Sequence, residues 1–449
     1  MPVAFLHLSD IHFGQEKGGL VFTHDDVRER LIDDVTRLVQ ELPNGKIDGI
    51  IVSGDVAYAG FKVQYTTAGE WLDRLACVAG CQITDIQVVP GNHDINRDGI
   101  CRSSEMMLAD ITQNGELRLD YFLELEKDRE VFYGRFEDYR DFAEAYDCPL
   151  DREGGTAGER TVELAPGRTL RFIGLNSALC CGKKDEKGKL LLGARQRVLP
   201  RRVGEELVVI CHHPLPWLRD SEEARQYVRS RARVFISGHE HTPQVTVDPV
   251  QSGCDLLMIA AGATVPPLEN DEFTFTYNLL QFDWDQIANA LVVTIHPRVW
   301  SQAKTAFEPN IKTFGAEKIA HSLGCPNFQD KVLSREMASI SSQDTSAAED
   351  VHNDTVNSGM IDAGSQEERS AMEDKFPFLL LRFFRDLTAT QRLTILIEMG
   401  ALPKNWNGAL THPLERRALD SLRSSGKLEA LETEIQKFLG GSADGEKNS

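Results

Sequence analysis

Five short clusters of oxygen and imidazole donors are spread over the first 241 residues: Asp10-Ile11-His12, Gly54-Asp55, Gly91-Asn92-His93-Asp94, His212-His213-Pro214 and Gly238-His239-Glu240-His241. Singly, each is ordinary. A D-x-H or H-x-H pair is commonly a turn, a cap or a solvated surface feature, and Gly-Asp alone is a turn signal. As an ordered set, each following an apolar run, they call for a common cause, because burying so many polar groups without partners costs several kcal/mol apiece. Metal ligation supplies those partners. Imidazole mixed with carboxylate and amide oxygen suits Mn, Fe or Zn rather than a thiolate cluster or a calcium loop. Two such ions roughly 3.5 to 4 Å apart would clamp a phosphoryl group from both sides.

The elements that must position these groups follow from the alternation of short apolar runs with amphipathic stretches, which predicts an α/β domain over residues 1–333. Strands are expected at Val3–Ser9, Gly49–Ser53, Ile86–Val89, Leu170–Leu175, Leu207–Cys211, Val234–Ser237, Leu256–Ala261, Tyr277–Phe282 and Leu291–Ile295. The five clusters lie just beyond strand candidates, where open α/β sheets place their sites. Where two ligands stand two residues apart beyond a strand end, both can turn to one side of the loop. Val27, Leu31, Val35, Leu38 and Val39 recur at helical spacing, so the chain opens as a βαβ unit. Between about 97 and 150, charge alternates with Tyr121, Phe122, Leu125, Phe132, Phe136, Tyr139 and Phe142, a pattern for an inserted helical cap.

Residues 334–375 carry ten acidic side chains against three basic ones among Ser, Asn and Gly, too polar to bury much surface, and predict a flexible linker. The segment 376–440 is leucine-rich. Thr388 with Gln391 reads as a capping box, Gly400 with Pro403 as a stop, Pro413 as a first-turn residue and Gly426 and Gly440 as later ends, giving about four short helices. A small all-α bundle on a long acidic linker reads as a tethered module that captures a protein partner without a set orientation.

Composition narrows the function classes. A net charge of -20 repels a nucleic-acid backbone unless positive charge is gathered locally, so nucleic acid is a disfavoured partner. Arg195, Arg197, Arg201 and Arg202 form one local basic cluster, read as a solvated loop beside the acidic cap. Nine cysteines show no C-x-x-C pairing, the opening residues do not read as a signal peptide, and no apolar run reaches the roughly 18 residues of a membrane span. These features point to reduced thiols in a cytoplasmic protein without a membrane contact.

D-x-H, GD, GNHD, H-x-P and GHxH in this order resemble the calcineurin-like metallophosphoesterase superfamily over roughly residues 1–300. The resemblance implies a β-sandwich flanked by helices (α/β/β/α). It implies that Asp10, His12 and His241 hold one metal, that Asn92, His212 and His239 hold the second, and that Asp55 bridges both. His213 is the rival to His212. It further implies that a hydroxide held between the ions attacks in line, that His93 faces the substrate to assist the departing oxygen, and that Asp94 orients the His93 ring. Ser/Thr phosphatases of this superfamily carry arginine before GNH and glutamate after it. Here those positions are Pro90 and Asp94, a form similar to bacterial cyclic-nucleotide and other phosphodiesterases. Tyr58 stands where purple acid phosphatases have an iron-ligating tyrosine, but those enzymes lack a histidine at the place of His12, so Tyr58 is read as a supporting residue.

The expected activity is therefore hydrolysis of a small or cyclic nucleotide-type phosphodiester. The alternatives are a metal-dependent nuclease of a bacterial conflict system, and an inactive scaffold, which no missing ligand supports. The segments around Leu387–Arg392, Ala401–Pro403 and Gly426–Leu428 resemble the small death-like effector-associated adaptors of bacterial conflict and signalling proteins.

Overall fold

The computed structural model describes residues 2–16, 20–151, 154–249, 255–266, 274–328 and 375–440. Its centre is two sheets packed face to face. The first runs β12-β11-β10-β1-β2-β3, with β13 paired to β11 (Ala290–Ser301), and the second runs β4-β5-β6-β7-β9-β8. In the first, β1 (Val3–Leu8), β2 (Gly49–Val52) and β3 (Ile86–Val88) are parallel. In the second, β6 (Glu205–Cys211) and β7 (Ala232–Ser237) are parallel to β5 (Arg168–Leu175) and β9 (Leu256–Ala261). The strands that carry ligand motifs are buried nearly throughout, which matches their unbroken apolar sequences. Phe5 of β1, Phe172 of β5 and Phe282 of β10 (Thr276–Asp285) meet between the sheets with ring centroids 4.9 to 6.0 Å apart and lock the two layers.

α1 (Leu20–Glu41) and α2 (Lys62–Ala79) pack together over the first sheet, and the helix Ser221–Arg231 packs on β6 and β7 of the second. This is the helix-flanked sandwich expected from the sequence. Between β3 and β4 (Thr156–Ala165) the cap forms four helices: α3 (Arg102–Asn114), α4 (Glu116–Glu124), α5 (Glu126–Tyr133) and α6 (Glu137–Ala145). Each of the expected strands is present. Four more were not expected: β4, β8 (Pro243–Asp248), β12 (Ala306–Pro309) and β13 (Ile319–Gly324). They run at sheet edges or pair along one side only, and their half-exposed residues give no apolar run.

The C-terminal segment is helical at 375–386, Ala389–Glu398, His412–Ser424 and Leu428–Gly440. Thr388 and Gln391 cap each other's backbone as a capping box, and Pro413 sits in the first turn of its helix. The module does not hang free, contrary to the tethered expectation. It is seated on α2 and α6, and its apolar residues join the core of the larger domain. The expected linker lies outside the described residues, except for its last residue, Lys375. Among the described residues, no cysteine is disulfide-bonded and no helix is long and apolar enough to cross a membrane.

Candidate metal centre

The parallel strands end on one side of the sandwich, and the five motifs occupy the loops there. Asp10 and His12 follow β1, Asp55 follows β2, Asn92 and His93 follow β3, His212 follows β6, and His239 and His241 follow β7. Backbone bonds stitch these loops together: Asp10 N–H donates to Gly54 C=O at 3.0 Å, His12 N–H to Asp55 C=O at 3.0 Å, and Gly238 N–H to His212 C=O at 2.9 Å. Among the described residues eight non-glycine positions adopt left-handed backbone, and five of them are Asp10, His12, Asp55, His239 and His241. Such conformations cost on the order of 1–3 kcal/mol each and persist where the surroundings enforce them, so this clustering is itself a mark of a functional site. Gly54, at φ 101°, and Gly91 allow the close approach: a Cβ at Gly54 would meet the His212 ring at 2.5 Å, and one at Gly91 would meet Asp55 Oδ1 at 2.1 Å.

The donor atoms converge. Asp55 Oδ2 lies 3.4 Å from His12 Nε2 and 3.3 Å from His212 Nε2. His212 Nε2 is also 3.2 Å from Asn92 Oδ1, and His241 Nε2 is 3.2 Å from Asp10 Oδ1. The His212 and His239 rings sit 5.2 Å apart, and those of His12 and His241 5.5 Å apart. All but His239 and His241 are nearly or fully buried.

Second contacts orient the rings. His212 Nδ1 is 2.8 Å from the Ser53 carbonyl and His12 Nδ1 3.2 Å from that of Val265, and donation from these nitrogens turns each Nε2 toward Asp55. His213 is equally buried, and one of its nitrogens lies within 4.8 Å of the corresponding atoms of His212 and His239. Its Nδ1, however, is 2.8 Å from Ser177 Oγ.

The electrostatics are those of a site made for cations. Burial would raise the Asp55 carboxyl, yet His212 and His12 hold it far below the usual range. Burial would lower His212, but the Asp55 and Asp10 carboxylates lift it to about 9. His239, beside His212, falls to about 4 through burial and that like charge. Asp10 Oδ1 is buried, with the His241 Nε2 at 3.2 Å as its neighbour. Buried carboxylate oxygens, clustered imidazole nitrogens and an amide oxygen together make a donor set that fits two transition-metal ions.

His93 and Asp94 depart from expectation. The His93 amide donates to Asp55 Oδ1 at 2.8 Å, and its ring Nδ1 is 2.7 Å from the Tyr58 carbonyl. The Tyr58 ring stacks on it at 5.2 Å. Tyr58 therefore sets the His93 ring, not Asp94 as expected. The Asp94 carboxylate is consumed by backbone donors: Ala57 at 3.0 Å, Gly91 at 2.9 Å and Val56 at 3.3 Å, with the Tyr65 hydroxyl at 3.2 Å. It ties the loop after β2 to the loop after β3. Burial and the nearby Asp55 push Asp94 up to about 7.

Other residues beside the centre carried no sequence signal. Trp217 stands edge-on to the His239 ring at 4.1 Å, and its Nε1 donates to Glu240 at 3.0 Å. Tyr65 is one of several buried residues on an amphipathic helix, indistinguishable in sequence from core. The basic cluster is neutralised where acids surround it. Arg195 pairs with Asp120, and Arg197 pairs with Glu116 and Asp220.

Two family models match the chain. The sequence model of calcineurin-like phosphoesterases matches residues 3–243, and that of a GTPase-associated adaptor domain matches 375–437. The metallophosphoesterase-like protein YydB of Bacillus subtilis is 24% identical over 279 residues, which is 59% of this chain and 54% of the relative. The chain thus spans about half the length of that curated relative. Among solved structures, purple acid phosphatase from yellow lupin (Lupinus luteus) seeds is similar at 11% identity over 73% of this chain and 55% of that one, with a TM-score of 0.41. A mutant Vps29 of Entamoeba histolytica is similar at 12% identity over 72% of this chain and 100% of that one, with a TM-score of 0.30.

Proposed function

The chain belongs to the calcineurin-like phosphoesterase family, and from that membership we propose that it is a dinuclear metal-dependent phosphodiesterase acting on small or cyclic nucleotide-type phosphodiesters. The observation that carries this reading is the position of Asp55 Oδ2, within 3.4 Å of both His12 Nε2 and His212 Nε2. One carboxylate oxygen in reach of two groups of donors would serve a pair of ions. Asp10, His12 and His241 would hold one ion, Asn92, His212 and His239 the other, and Asp55 both. Mn, Fe or Zn bound there would supply a water-derived nucleophile at neutral pH and Lewis acidity toward phosphoryl oxygens.

The remaining work falls to the chain's own side chains. His93, with Nδ1 donating to the Tyr58 carbonyl, leaves Nε2 for the leaving oxygen, to which the imidazolium form would give its Nε2 proton. The loop carrying it is held by Asp94, whose oxygens are fully engaged by backbone donors and so do not serve a phosphomonoester. Together with Pro90 in place of arginine, this favours a diester. Neutralisation of Arg195 and Arg197 by cap acids weighs against a polyanion track and hence against a nuclease. The C-terminal module, given its match to an adaptor domain, would bring a protein partner to the enzyme.

The test is to incubate purified protein and Mn²⁺ with bis-(p-nitrophenyl) phosphate, a cyclic-nucleotide panel, and single- and double-stranded DNA. Turnover of the small diesters is expected. Cleavage of DNA without turnover of any nucleotide would reverse the assignment in favour of the nuclease.

A further inference from the structure

The C-terminal module meets the larger domain through three arginines paired with acids and one histidine hydrogen bond, burial holding His412 below the usual imidazole value. Arg385 Nη1 donates to both carboxylate oxygens of Asp73 of α2, each at 2.8 Å. His412 and Arg392 reach Asp141 of α6 at 2.8 and 3.1 Å. Arg416 lies 2.7 Å from Asp147 and 3.5 Å from Glu144. The module thus offers a basic face to an acidic face on a chain whose net charge is strongly negative, which is the arrangement of a specific docking surface rather than of chance contact. The approach is close at α2: a Cβ at Gly69 would touch the Arg385 side chain at 3.6 Å and the Tyr146 hydroxyl at 3.7 Å.

The two helices so gripped are the ones behind the GNHD loop. Tyr65 of α2, buried, donates its hydroxyl to the Asp94 carbonyl at 3.0 Å and contacts Asp94 Oδ1 at 3.2 Å. Its ring packs at 5.2 Å on Phe142 of α6 and at 5.8 Å on Tyr139, and Phe142 in turn packs at 5.0 Å on Tyr146. Asp94 holds the amides of Val56, Ala57 and Gly91, which flank Asp55 and Asn92. Contact is therefore continuous from Arg385 through Gly69 and Tyr146 to Phe142, Tyr65, Asp94 and the loops of the centre.

We infer that the C-terminal module is a positioning element of the phosphoesterase centre: docked through Arg385, His412 and Arg416, it fixes α2 and α6 so that Tyr65 holds Asp94 and the loops bearing Asp55 and Asn92. Tyr65 and Arg385 are positioning residues. Binding a partner on the module is then linked to the order of the active loops, because whatever shifts the docked state shifts them as well. The inference rests on the phosphoesterase reading for its catalytic consequence, but its structural core does not.

The experiment uses the full chain with Arg385→Glu, Asp73→Arg and the combined charge swap, plus Gly69→Phe, which wedges the interface without altering a charge. Two readouts are taken: amide hydrogen exchange of the metal-free protein over residues 54–58 and 90–94, and kcat and KM for bis-(p-nitrophenyl) phosphate with Mn²⁺. Each single reversal and the wedge are expected to speed exchange at Val56, Ala57 and Gly91 about tenfold or more. They should lower kcat by a similar factor with KM little changed, and the double swap should restore both. Variants whose module residues exchange faster, showing undocking, while the loop amides and kcat stay at wild-type values would overturn the inference. Failure of the swap to rescue either readout would do the same. A wild-type chain that turns over no ester defeats the proposed function alone, since the exchange readout still decides this inference.

Discussion

Asp55 is the residue on which both halves of the centre meet, and its surroundings show how little room the chain leaves there. Gly91 packs against its carboxylate, so Gly91→Ala should push Asp55 aside and abolish metal uptake while the far-UV circular dichroism stays native; retained stoichiometric metal would contradict that geometry. His93 donates its amide to Asp55 and its ring Nδ1 is taken by the Tyr58 carbonyl, so His93→Ala should keep the metal content and lose about 10² to 10⁴-fold in turnover of esters with poor leaving groups. Rates on activated and unactivated esters separate the possibilities, and an equal loss on both would deny His93 the proton-donating role. The residues of the centre were legible because ligand types at fixed short spacings survive in sequence. The partner of the His93 ring was not: it is the Tyr58 carbonyl, and any residue at position 58 offers one. Asp94 was legible as part of the motif and illegible in its work, since its bonds go to the amides of Val56, Ala57 and Gly91.

At the scale of elements, the strands that carry ligands were readable as apolar runs because they are buried on both faces, whereas β4, β8 and β13 alternate in burial and blend into loop composition. Helix α6 has a consequence that sequence periodicity does not show. Its Glu144 is buried against Arg416, and burial pushes the carboxyl up from 4.5 to about 7 despite that arginine. A folded-state value above the unfolded one means that the contribution to stability is fully present below about pH 4.5 and is lost as pH rises through about 7. Glu144→Gln should therefore match the wild type near pH 5 and exceed it by about 2 kcal/mol near pH 8, as read by urea unfolding at the two pH values. A variant less stable at pH 8 would show that the charged Glu144–Arg416 pair is a net support.

The whole molecule differs most from its sequence in the placing of the C-terminal module. The capping box at Thr388 and the stops at Gly400 and Gly426 could be read locally, but the docked position depends on pairs such as Arg385 with Asp73, more than 300 residues apart and carrying no local signature. The ligand set has the same long-range character, spanning Asp10 to His241, yet was readable because each piece follows a buried strand that reports its own end. All of the functional reading depends on those pieces closing around two cations. The direct measurement is calorimetric titration of the metal-free chain with Mn²⁺, alongside Asp55→Ala. Two ions per chain are predicted for the wild type, with both sites weakened in the variant. Fewer than two ions in the wild type, or two bound with unchanged affinity in Asp55→Ala, would contradict the shared centre.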